Sequence, residues 1–233
     1  MLSPSLIFFA ALVAVGIVFL MRPRRFYFVR HGKTFLNAKH VKQGAEGGLS
    51  ESGKRQAVAF GARLAPLHIQ KIIASSYERA RETALIINER LHVPISYSPL
   101  LVERRNPSEV IEKNRDDPEV VRIIDQMDLA YHEDEYRFSD EENFIDLKKR
   151  AKKLLALLSR QGARETCVVT HHAFLKMVLS YMLHRERLHA TDYVKLSFFN
   201  TSDNGGISIC EYHPWKMFSR TRGWEVISFN ETP

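Results

Sequence analysis

Cysteine is scarce, two in 233 residues. That excludes a disulfide framework, and Cys167 lies in the apolar run CVVT, where a buried free thiol is expected. HEXXH is absent, and no Cys/His cluster has ligand spacing, so no metal site is expected. Nothing repeats at a fixed period and nothing is low in complexity, which excludes solenoids and disordered chains. The net charge of +7 comes without a basic–aromatic stripe, so no nucleic acid is expected as partner. Acidic residues are few outside one stretch. Ser108 to Asn143 holds 13 acidic and 4 basic residues, leaving 30 basic against 14 acidic elsewhere. That asymmetry points to an anionic ligand for the body of the protein.

Long apolar runs are also missing, with one exception. From Leu6 to Met21 no residue is charged, and Arg22-Pro23-Arg24-Arg25 follows. As a helix this run spans about 24 Å, and Pro4 and Ser5 bring it to the short limit of a membrane span. It has no basic n-region, so residues 1–25 read as an uncleaved single-pass transmembrane anchor with its basic flank. The positive-inside rule then places the remainder, 26–233, in the cytoplasm, with the membrane as a partner through this helix.

After this segment, strand-like runs alternate with helical ones. Phe26–Arg30, Lys71–Ser75, Pro94–Ser98 and Thr166–Thr170 read as strands; Ser50–Leu67, Tyr77–Leu91, Phe144–Gln161 and Ala173–Leu183 read as helices. The alternation predicts an α/β three-layer sandwich with a largely parallel central sheet. Residues 106–143 interrupt it and read as an acidic helical insertion or lid, broken at Pro118. Val194–Phe199, Ile207–Tyr212 and Glu225–Phe229 are expected as further strands at one sheet edge.

The strand ends carry the chemistry. The first ends in Arg30-His31-Gly32; the second in Ser75-Ser76, with Arg79 soon after. The third leads to Glu103-Arg104-Arg105 and the fourth ends in His171-His172. In a parallel sheet these ends share one edge, where open α/β folds bind ligands. Two imidazoles, several guanidiniums and a carboxylate suit phosphoryl transfer through a phosphohistidine. The imidazole attacks phosphorus, Arg forks match the phosphoryl oxygens, and a carboxyl group moves the protons.

These segments also match a family. RHGKTFLN fits the R-H-G-x-T-x-x-N signature of the histidine phosphatase superfamily, the phosphoglycerate-mutase-like proteins. GGLSESGKRQA, SSYERARETA, LVERR and VVTHHAFLK resemble its later blocks, covering Phe26 to about Leu183. The resemblance implies His31 as nucleophile, with Arg30, Arg79 and His171 completing the phosphate pocket. It implies Glu103 as acid/base and Asn37 as a further phosphate contact. Thr34, Arg104 and Arg105 are candidates for substrate contact, and His172 is the alternative to His171 if the register is shifted by one. No metal or organic cofactor is expected. The expected activity is hydrolysis of a phosphomonoester, on a phosphorylated small molecule or a phosphoprotein. The alternatives are a phosphomutase and a catalytically inactive phospho-ligand scaffold. After Glu103 the chain continues NPSEVIEKN where mutases carry a Gly-x-x-Glu-Gly-like stretch, which weighs against the mutase.

Overall fold

The structure is a computed structural model and describes residues 8–9, 21–130, 132–196 and 206–232. Its centre is a six-stranded sheet in the order β3-β2-β4-β1-β5-β6. These strands are β1 (Arg24–Arg30), β2 (Lys71–Ser75), β3 (Ile95–Ser98), β4 (Glu165–Thr170), β5 (Ile207–Tyr212) and β6 (Trp224–Glu231). The first four in the sheet are parallel, whereas β5 and β6 are antiparallel to their neighbours. The sheet is therefore mixed, with a short hairpin closing one side of its parallel part.

Seven α-helices accompany it among the described residues: α1 (Phe35–Ala38), α2 (Glu51–Leu64), α3 (Glu78–Leu91), α4 (Pro118–Leu129), α5 (Phe144–Leu158), α6 (His172–His184) and α7 (Ala190–Lys195). Strand alternation explains the layers. Phe26 and Phe28 of β1 join Val168 in a core built with α5 and α6. Tyr27 and Val29 join Cys167 and Val169 in a second core, against Phe60 and Leu64 of α2 and Ala80, Ala84 and Ile87 of α3. Both cysteines are free and buried, and burial pushes the Cys167 thiol up to about 12.

Several expectations are corrected. Among the described residues no helix is long and apolar enough to cross a membrane, so the N-terminal transmembrane helix is not upheld. The membrane partner and the membrane and cytoplasmic placement deduced from it fall with it. Residues 1–7 and 10–20, on which most of that reading fell, lie outside the described residues. The uncharged run ends at Met21, which lies in a turn, and β1 begins at Arg24, so its C-terminal end does not continue as helix into the basic flank. Val194 and Lys195 close α7 instead of opening a strand, while residues 197–205 lie outside the described residues. Pro118 does not break a helix. It occupies the first turn of α4 after the Asp117 N-cap, where its missing N–H costs nothing. Val120, Ile123 and Met127 of α4 bury against Val110 in a small separate cluster within 106–143.

Candidate active site

Parallel pairing brings the strand ends together. Arg30 is level with Thr170, and the His31 N–H donates to the Thr170 carbonyl at 3.0 Å. β2 lies on the far side of β4 with Ala74 level with Val169, so Ser75 borders the same edge. His171 follows β4 directly and caps α6, whose first residue is His172.

The close approach that seats His31 depends on two glycines. A Cβ on Gly32 would lie 2.4 Å from the Gly53 carbonyl oxygen, and one on Gly53 would lie 2.0 Å from the Lys33 carbonyl oxygen. Backbone meets backbone where the loop after β1 crosses the first turn of α2. The Ser50 hydroxyl secures that crossing by donating to the Lys33 carbonyl and accepting from the Gly53 N–H.

His31 is buried. Its Nδ1 lies 2.8 Å from the Gly32 carbonyl oxygen. A carbonyl only accepts, so Nδ1 carries the proton and Nε2 keeps a lone pair. Arg79 Nε–H donates to that Nε2 at 3.3 Å, and Arg79 Nη1 donates to the Gly44 carbonyl at 2.8 Å. The His171 ring centroid is 5.0 Å from that of His31. His171 Nε2 pairs with Ser75 Oγ at 2.8 Å, while its Nδ1 is buried without a hydrogen-bond partner among the described residues. Tyr77 stands edge-on to His171 at 5.3 Å, and the Arg79 guanidinium lies 5.1 Å from the Tyr77 ring centre.

Burial, then the Arg79 and Arg30 guanidiniums, hold the His31 pKa well below its ordinary 6.5. Burial, then His31 and Arg79, do the same for His171. Both rings are neutral near pH 7, which is the state a nitrogen nucleophile needs. Burial also lowers Arg79, opposed chiefly by Glu103.

Glu103 is half-buried and tied to the start of α6. Its Oε1 accepts from the N–H of Arg104 (2.9 Å) and of Phe174 (3.0 Å), and its Oε2 accepts from Ala173 (3.3 Å). The other expected residues are less central. Thr34 is fully buried: its hydroxyl caps α1 by accepting from the Asn37 N–H and donates to Gln43 Oε1. Asn37 Oδ1 is buried without a hydrogen-bond partner among the described residues. Arg104 Nε donates to the Glu142 carbonyl. Arg105 is exposed and offers its carbonyl to the Glu142 N–H. Among the described residues no group of three or more His, Cys, Asp or Glu could hold a metal ion.

Arg150 went unnoticed in the sequence. From α5 it donates to the carbonyls of Leu100 (3.0 Å), Val102 (2.6 Å) and Glu103 (3.3 Å). It also pairs with Glu142, Nε to Oε1 at 2.6 Å and Nη2 to Oε2 at 2.5 Å. The signal was a cation among Leu147, Ala151 and Leu154, three and four residues apart on one helical face.

A family model, the histidine phosphatase superfamily (branch 1), matches residues 26–224. The chain belongs to that superfamily. The broad-specificity phosphatase YOR283W of Saccharomyces cerevisiae is 23% identical over 205 residues, 81% of this chain and 79% of that protein. A Schizosaccharomyces pombe protein named "Probable phosphatase C1687.21" is 40% identical over 80 residues, 34% of this chain and only 38% of that relative's length. The solved mycobacterial glucosyl-3-phosphoglycerate phosphatase superposes with a TM-score of 0.73 at 22% identity, over 90% of this chain and all of that one. That last likeness concerns the fold.

Proposed function

We propose that the chain is a metal-independent phosphomonoester hydrolase acting through a phosphohistidine on His31. The observation that carries this is the His31 Nδ1 bond to the Gly32 carbonyl, which leaves Nε2 as the unprotonated nitrogen beside Arg79. In the first step Nε2 attacks phosphorus, the N–P bond forms and the P–O bond breaks. Glu103 gives its proton to the departing alkoxide. In the second step water attacks phosphorus, Glu103 takes a proton from it, and the N–P bond breaks to release phosphate. Arg30, Arg79 and His171 hold the phosphoryl oxygens where negative charge develops. The Asn37 amide, turned about its terminal bond, adds an N–H donor. Of the two Glu103 oxygens, Oε2 makes the single, longer contact, and it is the one assigned to proton transfer.

Residues 26–233 form the catalytic domain in this reading, and 106–143 its lid. The substrate is a phosphorylated small molecule, the kind named for a glucosyl-3-phosphoglycerate phosphatase of Mycolicibacterium vanbaalenii that is 38% identical to this chain over 84 residues. The test is phosphate release from a panel of phosphomonoesters, with and without chelator, beside His31→Ala. Chelator-insensitive release that disappears in the variant is expected. Release that survives the substitution refutes the assignment.

A further inference from the structure

Two surfaces outside the catalytic pocket carry opposite charge and matching apolar groups. One is the turn between β5 and β6, residues 213–223, which holds Lys216, Arg220 and Arg222 and no acidic residue. Phe218 at its tip is 95% exposed, with Trp215 and Met217 partly exposed beside it. The turn is well ordered by its own backbone. The Lys216 N–H donates to the His213 carbonyl at 3.0 Å, Ser219 to Lys216 at 2.9 Å and Arg222 to Ser219 at 3.0 Å. A hollow of about 730 Å³ runs from Phe218 to Arg185 and Arg187, just past α6. Its one carboxylate among the described residues, Glu186, is already paired with Lys152 at 2.6 Å. An aromatic ring held in water on an ordered turn among arginines has the make-up of a protein contact, where Phe, Met and Arg are enriched.

The other surface is the outer face of α4. Its inner face, Val120, Ile123 and Met127, buries against Val110. Val121, Asp125 and Leu129 lie four residues apart on the opposite face, and Leu129 is 79% exposed. With Asp116 and Tyr136 they border an open groove of about 940 Å³. Arg122 borders it too, but the stretch from Ser108 to Asn143 that builds the groove is acidic by 13 residues to 4. A helix with one apolar stripe on its core and a second in water leaves the second for a partner.

Each surface has its complement on the same chain. Tyr212 is level with Arg24 at the start of β1, so the turn leaves the sheet at the end away from His31. The acidic insertion follows β3, whose last residue, Ser98, is level with Ser75 at the His31 end. Turn and groove thus belong to different ends of one sheet and meet between copies. We propose that the β5–β6 turn of one copy docks in the α4 groove of a second copy. Phe218 packs between Val121 and Leu129, and Arg220 and Arg222 face Asp116 and Asp125. The contact is heterologous, so copies join head to tail, into a ring where the rotation closes and a chain where it does not. Neither surface belongs to the phosphate pocket, and the inference stands apart from the hydrolase reading.

Sedimentation velocity of the full chain, from micromolar to millimolar concentration, tests it without any substrate. The mass should rise with concentration and fall as salt is raised, because exposed charge pairs are screened. Phe218→Ser and, separately, Leu129→Ser should each weaken association about tenfold or more, the size expected for burying one such side chain. Both side chains face water, so both variants should melt with the parent. The deciding arm mixes the two variants at a concentration where each alone is monomeric. Phe218→Ser keeps its groove and Leu129→Ser keeps its turn, so an equimolar mixture should form a dimer of one copy of each and grow no further. A parent that stays monomeric throughout, whether or not it then binds phosphatidylserine vesicles, overturns the proposal. Association unchanged in either variant, or a mixture that remains monomeric, overturns it equally.

Discussion

Replacing Arg150 by Met keeps the stem of the side chain and deletes its five N–H donors. Arg150 and Glu142 side chains are each 12% exposed, so the lost partner leaves a carboxylate that water reaches poorly. Breaking such a pair from one side costs about 3–5 kcal/mol. The carbonyls of Leu100, Val102 and Glu103 lose a donor as well. Against a total stability of about 5–15 kcal/mol this is a large share. For a chain of this size it lowers Tm by roughly 6–20 °C. Adding Glu142→Gln removes the stranded charge and should recover about half of the loss, on the order of 2 kcal/mol. Circular dichroism melts of the parent, the single variant and the double variant measure this directly. Activity supplies the second readout. If Arg150 positions Glu103, kcat for an alkyl phosphate should fall at least tenfold, the order of a general-acid contribution partly lost. Turnover of para-nitrophenyl phosphate, whose leaving group departs without a proton, should fall much less. A melt within about 2 °C of the parent, or equal losses on both esters, would refute the reasoning.

The remaining predictions follow from the same geometry. Gly53→Ala should destabilise by about 1–3 kcal/mol in chemical denaturation, because its methyl meets the Lys33 carbonyl at 2.0 Å and neither backbone can yield freely. Arg79→Lys should lower kcat/KM by about 10²–10³, since an ammonium cannot reproduce the contacts to His31 Nε2 and the Gly44 carbonyl while holding a phosphoryl oxygen; a loss under fivefold contradicts the role. The lowered His31 and His171 pKa values mean that the unfolded chain binds protons which the folded one refuses. Their contribution to stability is therefore present above the ordinary 6.5 and lost as pH falls below it, which a Tm–pH series will show as a declining acid side. The acid limb of kcat/KM assigned to His31 should likewise lie well below 6.5, and a limb above that value excludes a nucleophile in this environment.

The parts of the molecule legible in the sequence were those whose cause is local. The apolar runs at 26–30, 71–75 and 166–170 became strands because both faces are buried, and chemistry at their ends converged because they are parallel. Ser50 marked a helix start because its hydroxyl caps the Gly53 N–H. What stayed hidden depends on distant contacts. Glycine at 32 is required by the Gly53 carbonyl, 21 positions away. The role of Arg150 stayed hidden because its carbonyl acceptors lie some 50 residues earlier. The apolar N-terminus misled because an uncharged run with a basic flank is a pattern of composition, and among the described residues no helix is long and apolar enough to cross a membrane.

The central claim is a covalent N–P bond at position 31. Rapid chemical quench of the full chain with a ³²P-labelled phosphomonoester tests it most directly. The account predicts a label that survives alkali, is lost in acid and maps to the peptide carrying His31. Label on another residue, or none while phosphate is still being released at steady state under rate-limiting hydrolysis, would contradict it.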